Sequence, residues 1–200
     1  MSHVIQSWSI PSVAVVGETG TFPVRRIYCV GRNYAAHARE MGHDPDREPP
    51  FFFTKPADAI VICADPKNPT KVKYPSATKN LHHEMELVVA MKSGGADIPV
   101  DKALDHVFGY GVGLDMTRRD LQNQAKDMGR PWDMGKGFDN SAPIGTIYPV
   151  VEVGHPAKGS WSGYWGTSDA DKHRILLVLD WRDRELSGEI NPGPNAVRLD

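Results

Sequence analysis

Two glutamates one residue apart open an apolar run, and this feature most constrains how the 200-residue chain can fold. Glu84 and Glu86 lead directly into the apolar residues 87–91, which predict a buried strand. Residues i and i+2 of a strand point to the same face, so the two carboxylates should emerge side by side. Because adjacent negative charges repel, the pair needs a proton or a cation between them, unless it lies at a solvated strand end.

A third carboxylate follows a second apolar segment. Residues 107–114 are rich in glycine and apolar side chains and also predict a strand, and Asp115 comes at its end, just before a polar stretch typical of a helix start. Carboxylate oxygens suit a hard divalent ion such as Mg2+, Mn2+ or Ca2+. We therefore predict a metal site formed by Glu84, Glu86 and Asp115, with ordinary solvated acids as the alternative.

The composition is that of one soluble globular domain and argues against several classes of protein. The net charge is only −2, with Lys and Arg scattered along the chain, which argues against nucleic-acid binding. No apolar stretch approaches the length of a membrane span, and no secretory signal is evident. Cys29 and Cys63 lie in apolar contexts and are expected to be free, buried thiols. We expect a cytoplasmic protein without a membrane partner.

Apolar runs alternate with Pro- and Gly-containing segments and predict many short strands with a few helices. Strands are predicted over 27–30, 51–56, 59–63, 84–91, 108–114, 144–153 (broken by Pro149) and 175–179. Helices are predicted over 34–41, 100–107 and 121–128, and residues 132–143 are predicted to be loop. Thr117 and Asp120 have the spacing of a capping box at the start of the third helix.

Other polar residues could act on a substrate near the predicted metal. His37 and Glu40 are three residues apart on a predicted helix, so the carboxylate can orient the imidazole as a general base, or the two can form an ordinary surface contact. Lys136 stands between two glycines and can approach a buried anion, or remain a solvated lysine. The following residues could bind a carboxylate or face the solvent: Arg118, Arg119 and Gln122.

Several short segments occur in an order and spacing that is specific to one family. These segments are Cys29-Val30-Gly31-Arg32-Asn33-Tyr34 with His37 and Glu40, Phe53-Thr54-Lys55-Pro56, Tyr74-Pro75, His83-Glu84-Met85-Glu86-Leu87, the stretch 113–122, and Lys136-Gly137-Phe138-Asp139. Together they resemble the fumarylacetoacetate hydrolase family, especially its small bacterial members. The resemblance covers residues 24–158, after a lead over 1–23. Residues 159–200 form a divergent tail, so the domain is expected to be incomplete at its C-terminus.

The resemblance implies an α+β, β-rich fold, a mixed β-sandwich or roll of this family's type, and a homodimer. It implies that Mg2+, or Mn2+ or Ca2+ in its place, is held by Glu84, Glu86 and Asp115. It also implies that the His37–Glu40 pair activates water. Further contacts to a small 2-keto acid substrate or to a developing oxyanion are expected from Lys136, Arg119, Gln122 and Arg32.

The implied reaction is hydrolytic carbon–carbon cleavage of an acylpyruvate, with fumarylpyruvate as the expected substrate and fumarate and pyruvate as products of aromatic (gentisate) degradation. Two alternatives remain open. The same chelation of a keto acid serves oxaloacetate decarboxylation and the hydration or isomerisation of a 2-keto dienoate. The divergent tail favours a third possibility, a truncated chain that binds metal without turnover.

Overall fold

One mixed eight-stranded β-sheet is the main feature of the computed structural model, which describes residues 3–31, 51–65, 68–156, 175–180 and 197–199. Within these ranges, no helix has both the length and the apolar character that a membrane crossing requires. The predicted helix over 34–41 lies outside the described residues, and with it lie Arg32, His37 and Glu40.

Strands dominate the described part of the chain. They are β1 (Ser12–Ala14), β2 (Thr21–Pro23), β3 (Arg26–Gly31), β4 (Phe51–Lys55), β5 (Ile60–Cys63), β6 (Thr70–Val72), β7 (Leu81–Met91), β8 (Val107–Arg118), β9 (Ala142–Gly145), β10 (Tyr148–Pro149), β11 (Ile175–Asp180) and β12 (Val197–Leu199). The helices are α1 (Arg119–Asp127), α2 (Asp133–Lys136) and α3 (Val150–Val153), with 3-10 helices at Ala57–Ala59 and Val100–His106. The predicted β-rich α+β fold is confirmed.

The large sheet has the strand order β4-β3-β11-β7-β8-β9-β5, and β10 pairs with β8 outside this order. β11 runs parallel to β3 and β5 runs parallel to β9, while the other pairs are antiparallel. Two small sheets, β1 with β2 and β6 with β12, complete the described topology. The long antiparallel pair β7–β8 therefore stands near the middle of the large sheet.

The β7–β8 pair has core packing on both faces. Val88 and Ala90 belong to a buried cluster with Ile27 of β3, whereas Leu87 and Val89 belong to a second cluster on the other face. Alternate residues of a strand point to opposite faces, so a strand covered on both sides needs a continuous apolar run rather than an alternating one. This burial of both faces explains why every residue from 87 to 91 is apolar.

The segment that contains β10 crosses close to β8 because β8 has glycine at the crossing point. A Cβ atom added to Gly109 would lie 2.3 Å from the carbonyl oxygen of Tyr148. Such a distance is far below van der Waals contact, so only glycine allows this approach of the two backbones.

Helix α1 begins earlier than predicted, and its start is not the predicted capping box. Asp120 accepts hydrogen bonds from Thr78 Oγ1 at 2.6 Å and from the Lys79 backbone N–H at 3.0 Å. The hydrogen bond from Thr78 is the largest cause that lowers the pKa of Asp120. Asp120 therefore links helix α1 to the loop before β7 through hydrogen bonds. The local spacing with Thr117 did not indicate this tertiary contact.

Three other expectations were wrong in detail. The predicted loop over 132–143 contains the helical turn α2 and the start of β9, and the predicted broken strand over 144–153 divides into β9, β10 and α3. In addition, β8 continues to Arg118, so Asp115 lies inside a strand and not at its end. Short elements of this kind have weak local signals, because packing against the rest of the fold decides their conformation.

The close crossing of β8 and β10 leads to a stability prediction. Gly109→Ala places a methyl group against the Tyr148 carbonyl, and we expect the free energy of unfolding to fall by about 1–3 kcal/mol, as overpacking typically does. Urea denaturation followed by circular dichroism measures this change. Gly20→Ala is the matched control, because a Cβ atom there meets nothing within 4 Å. Equal stabilities of the two variants would contradict the described crossing.

Candidate metal centre

The strand register places three carboxylates on one face of the β7–β8 pair. Glu84 is directly opposite Asp115, and Glu86 is two residues further along the same strand. Opposite residues of an antiparallel pair share a face, as do residues i and i+2 of one strand. One carboxylate oxygen from each of the three side chains lies within 4.8 Å of the other two. Glu86 and Asp115 are only 3% and 2% exposed, so two of these acids are deeply buried.

Three cationic side chains contact this acidic cluster. Lys136 Nζ lies 2.6 Å from Glu84 Oε2 and 2.6 Å from Asp115 Oδ2, so its ammonium group bridges the two strands. Lys55 Nζ lies 2.8 Å from Asp115 Oδ1. Arg119 contacts Glu84 Oε1 through Nη2. These contacts bring three cations to two of the carboxylates, those of Glu84 and Asp115.

The pKa values of the site reflect this balance between burial and charge. Burial opposes ionisation of Glu84, but the charges of Lys136 and Arg119 outweigh it and lower the pKa of Glu84 to about 2. Burial also opposes the charged form of Lys136, yet Asp115 and Glu84 outweigh it and raise the pKa of that ammonium. Glu84 and Lys136 are therefore both ionised at neutral pH.

Arg119 is oriented by more than its contact with Glu84. Its Nη1 donates a hydrogen bond of 2.6 Å to Gln122 Oε1, one turn along helix α1, and its Nε donates to His82 Nδ1 at 3.3 Å. The Arg119 side chain is 19% exposed, whereas that of Lys136 is 3% exposed. The Arg119 side is therefore the more open side of the cluster.

Lys136 reaches the acids because helix α2 packs tightly against α1. A Cβ atom at Gly135 would lie 2.9 Å from the backbone nitrogen of Gln122, so glycine is needed for this approach. On its other side the α2 region packs on aromatic rings of β4. The ring centroids of Trp132 and Phe53 are 5.7 Å apart, and Lys136 Nζ lies 5.0 Å from the centroid of the Phe53 ring. Tertiary packing thus gives a lysine from a predicted loop a fixed, buried position.

Lys55 belongs to the site although the sequence analysis assigned it no role. It is the last residue of β4 and is 2% exposed. A signal was available in the sequence, because Lys55 follows the three consecutive phenylalanines 51–53 after a single threonine and precedes a proline. A lysine in that position must either leave the core or find buried acceptors, but the sequence does not indicate which acceptors.

The remaining residues near the site do not change its chemical character. Burial, followed by the charge of Asp115, raises the pKa of the Cys29 thiol, so this buried residue stays protonated. Arg118 stands 4.3 Å above the Phe138 ring, where it forms a cation–π contact. The predicted base pair His37–Glu40 and Arg32 lie outside the described residues, and their roles stay predictions.

The donor set fits a hard divalent cation. All three converging groups are carboxylates, which are the ligands that Mg2+, Mn2+ and Ca2+ prefer. Asp115 Oδ1 is buried and already lies 2.8 Å from Lys55 Nζ, but a carboxylate oxygen has a second lone pair that can face an ion. The site can therefore hold a divalent metal through Glu84, Glu86 and Asp115.

The buried ion pairs predict a large effect of removing Asp115. Asp115→Asn leaves Lys55 without its carboxylate partner, and loss of one member of a buried pair costs about 3–5 kcal/mol. We expect the free energy of unfolding in urea with EDTA to fall by this amount. Asp105→Asn removes the same charge from an exposed site and serves as the control. A similar small change in both variants would show that the buried cluster is not held together by these ion pairs.

Known proteins resemble this chain in sequence and in fold. Residues 26–173 match the family model "Fumarylacetoacetate (FAA) hydrolase C-terminal". A crystal structure of fumarylpyruvate hydrolase from Pseudomonas aeruginosa, in complex with Mn2+ and pyruvate, is 59% identical. It superposes with a TM-score of 0.73 over 78% of this chain and 66% of that chain.

Curated relatives carry a different activity in their names. The mitochondrial oxaloacetate tautomerase FAHD1 of Arabidopsis thaliana is 40% identical over 66% of this chain and 56% of its own length. The mitochondrial oxaloacetate decarboxylase of Dictyostelium discoideum is 40% identical over 68% of this chain and 58% of its own length. The chain thus spans a little more than half the length of these relatives. From the matched residues and the shared fold, we conclude that the chain belongs to the fumarylacetoacetate hydrolase family.

Proposed function

We propose that this protein is a metal-dependent hydrolase that cleaves a carbon–carbon bond of an acylpyruvate, with fumarylpyruvate as substrate. The convergence of three carboxylates within 4.8 Å, next to Lys136 and Arg119, is the observation that carries the proposal. The choice of substrate is supported by the 59% identical fumarylpyruvate hydrolase, whose structure holds Mn2+ and pyruvate. Pyruvate would be one product of the proposed reaction.

Charge balance supports a 2-keto acid as the substrate class. The formal charges of the three carboxylates and of the three cations Lys55, Lys136 and Arg119 sum to zero. With Mg2+ or Mn2+ held by Glu84, Glu86 and Asp115, the same set would carry a charge of +2. The ion would supply a Lewis acid that binds and orients the 2-keto acid. A pyruvate carboxylate together with its enolate carries two negative charges, which would neutralise the site.

The reaction needs a base and donors for the developing negative charge. In our proposal His37, oriented by Glu40, removes a proton from water, and the resulting hydroxide adds to the distal keto carbon of the substrate. The bond between that carbon and the pyruvate methylene then breaks, and its electron pair becomes the pyruvate enolate. His37 returns the proton to the enolate carbon, and the newly formed carboxylic acid releases its proton to the solvent, so the products are fumarate and pyruvate.

The other proposed roles follow from the hydrogen-bond donors of the cluster. Lys136 and Arg119 have donors next to the acids and would bind the developing oxyanion or a substrate carboxylate. Gln122, which accepts from Arg119, would keep that guanidinium in place and contact the substrate. Arg32 is proposed as a further substrate contact.

Oxaloacetate is a second candidate substrate, favoured by the names of the curated relatives. Decarboxylation or tautomerisation of oxaloacetate would use the same binding of a 2-keto acid. Decarboxylation does not need hydroxide to attack a second carbonyl, so the proposed base pair is required for hydrolysis but not for decarboxylation. Tautomerisation moves a proton and could use the same base. His37 therefore separates hydrolysis from decarboxylation.

We also propose a cytoplasmic homodimer, as the family resemblance implies. The chain has a mass of 22.1 kDa, so sedimentation equilibrium distinguishes a monomer from a dimer directly.

The test compares both substrates with the wild-type protein and with His37→Ala. Loss of fumarylpyruvate is followed by its ultraviolet absorbance, and oxaloacetate decarboxylation by pyruvate formation, each with Mg2+, with Mn2+ and with EDTA. We expect EDTA to abolish turnover, and His37→Ala to slow fumarylpyruvate hydrolysis by about 100-fold or more, the effect of losing a general base. The exposed His3 provides the matched control His3→Ala.

The possible outcomes distinguish the proposed functions from one another. Turnover of oxaloacetate without hydrolysis of fumarylpyruvate would favour the second candidate. Binding of Mn2+ without turnover of either substrate would instead identify a chain that binds metal without catalysis. Undiminished hydrolysis by His37→Ala would refute the proposed base.

A further inference from the structure

Lys55 has an unusual set of partners for a lysine. Its ammonium group is buried at the end of β4 and donates hydrogen bonds to two backbone carbonyls, those of Met116 at 3.0 Å and of Lys136 at 2.5 Å. Its third contact is the ion pair of 2.8 Å with Asp115 Oδ1, which lacks hydrogen-bond geometry. Two backbone carbonyls and one carboxylate thus surround the Lys55 ammonium group.

These contacts join three separate parts of the fold at one atom. Lys55 Nζ binds the side chain of a β8 residue, the backbone carbonyl of the next residue of β8, and the backbone of the last residue of α2. The two residues linked in this way are Asp115, which is one of the three acids, and Lys136, whose ammonium group contacts two of them. A single buried ammonium group thus sets the distance between the strand that carries Asp115 and the helical turn that carries Lys136.

We propose that Lys55 is a positioning residue that holds Asp115 and Lys136 in the arrangement required for cation binding by the three carboxylates. The inference rests on the proposed metal site but assigns Lys55 no contact with substrate. Residues behind a metal ligand commonly fix its orientation, and their loss weakens metal binding although they never touch the ion. In this proposal Lys55 orients the Asp115 side chain through the ion pair, and it positions Lys136 through the hydrogen bond to the Lys136 backbone carbonyl.

Charge alone predicts the opposite effect. An ammonium group 2.8 Å from a ligand oxygen repels an incoming divalent cation, so its removal should strengthen metal binding if Lys55 were only a charge. If Lys55 is a positioning residue, its removal should weaken metal binding despite this electrostatic gain. The sign of the change in metal affinity therefore distinguishes the two roles.

The experiment measures binding of Mn2+ to the 200-residue chain by electron paramagnetic resonance of the free ion. We expect Lys55→Met to raise the Mn2+ dissociation constant by about 10- to 100-fold, the usual range for loss of a partner behind a metal ligand. Lys73→Met is the matched control, because it removes the same charge from an exposed lysine and should bind Mn2+ as the wild type does. Circular dichroism establishes that each variant is folded.

Lys55→Arg keeps the test decisive if Lys55→Met does not fold. Arg retains the charge, but a planar guanidinium cannot place its donors as a compact ammonium group does, so Mn2+ binding should again weaken. Unchanged or tighter binding by a folded Lys55→Met, or wild-type binding by Lys55→Arg, would overturn the proposal. Failure of the wild-type protein to bind Mn2+ would refute the metal site itself, and so is distinct from a failure of the Lys55 assignment alone.

Discussion

Mutual repulsion among three carboxylates is the constraint on which the described structure depends. The hairpin register brings Glu84, Glu86 and Asp115 together on one face, and burial removes most of the water that would screen them. Such a cluster is stable only with cations inside it. Two buried ammonium groups and one guanidinium group supply that charge, so β4, α1 and α2 must all meet at the β7–β8 pair.

The need to place cations next to the acids determines which elements pack around the site. The two strands with the acids are long and packed on both faces, which makes them a rigid base. The cationic side chains arrive from shorter elements that pack on this base, through Gly135 against α1 and through the aromatic rings of β4. Rigid strands for the acids and packed short elements for the bases give a site whose geometry is set before any ligand binds.

Particular residues show how far sequence reasoning reaches. The shared face of Glu84 and Glu86 follows from strand periodicity alone, and β7 was predicted within a few residues of its bounds. Lys136 was predicted as a candidate from its flanking glycines, but its helical turn was predicted as loop, because a turn of four residues has little intrinsic stability. Asp120 matched a local capping pattern and instead binds the loop at Thr78, which is 42 residues away in the chain.

The sequence by itself determined the family, the strand-rich fold and the identity of the acids, since each depends on residue type and short-range spacing. Only the tertiary structure decided the pairing of Glu84 with Asp115, the bridge formed by Lys136 and the burial of Lys55 beneath the cluster. These contacts join residues between 21 and 81 positions apart in the chain. Local periodicity carries no information about which distant charges meet, because that is decided by sheet register and by which elements pack together.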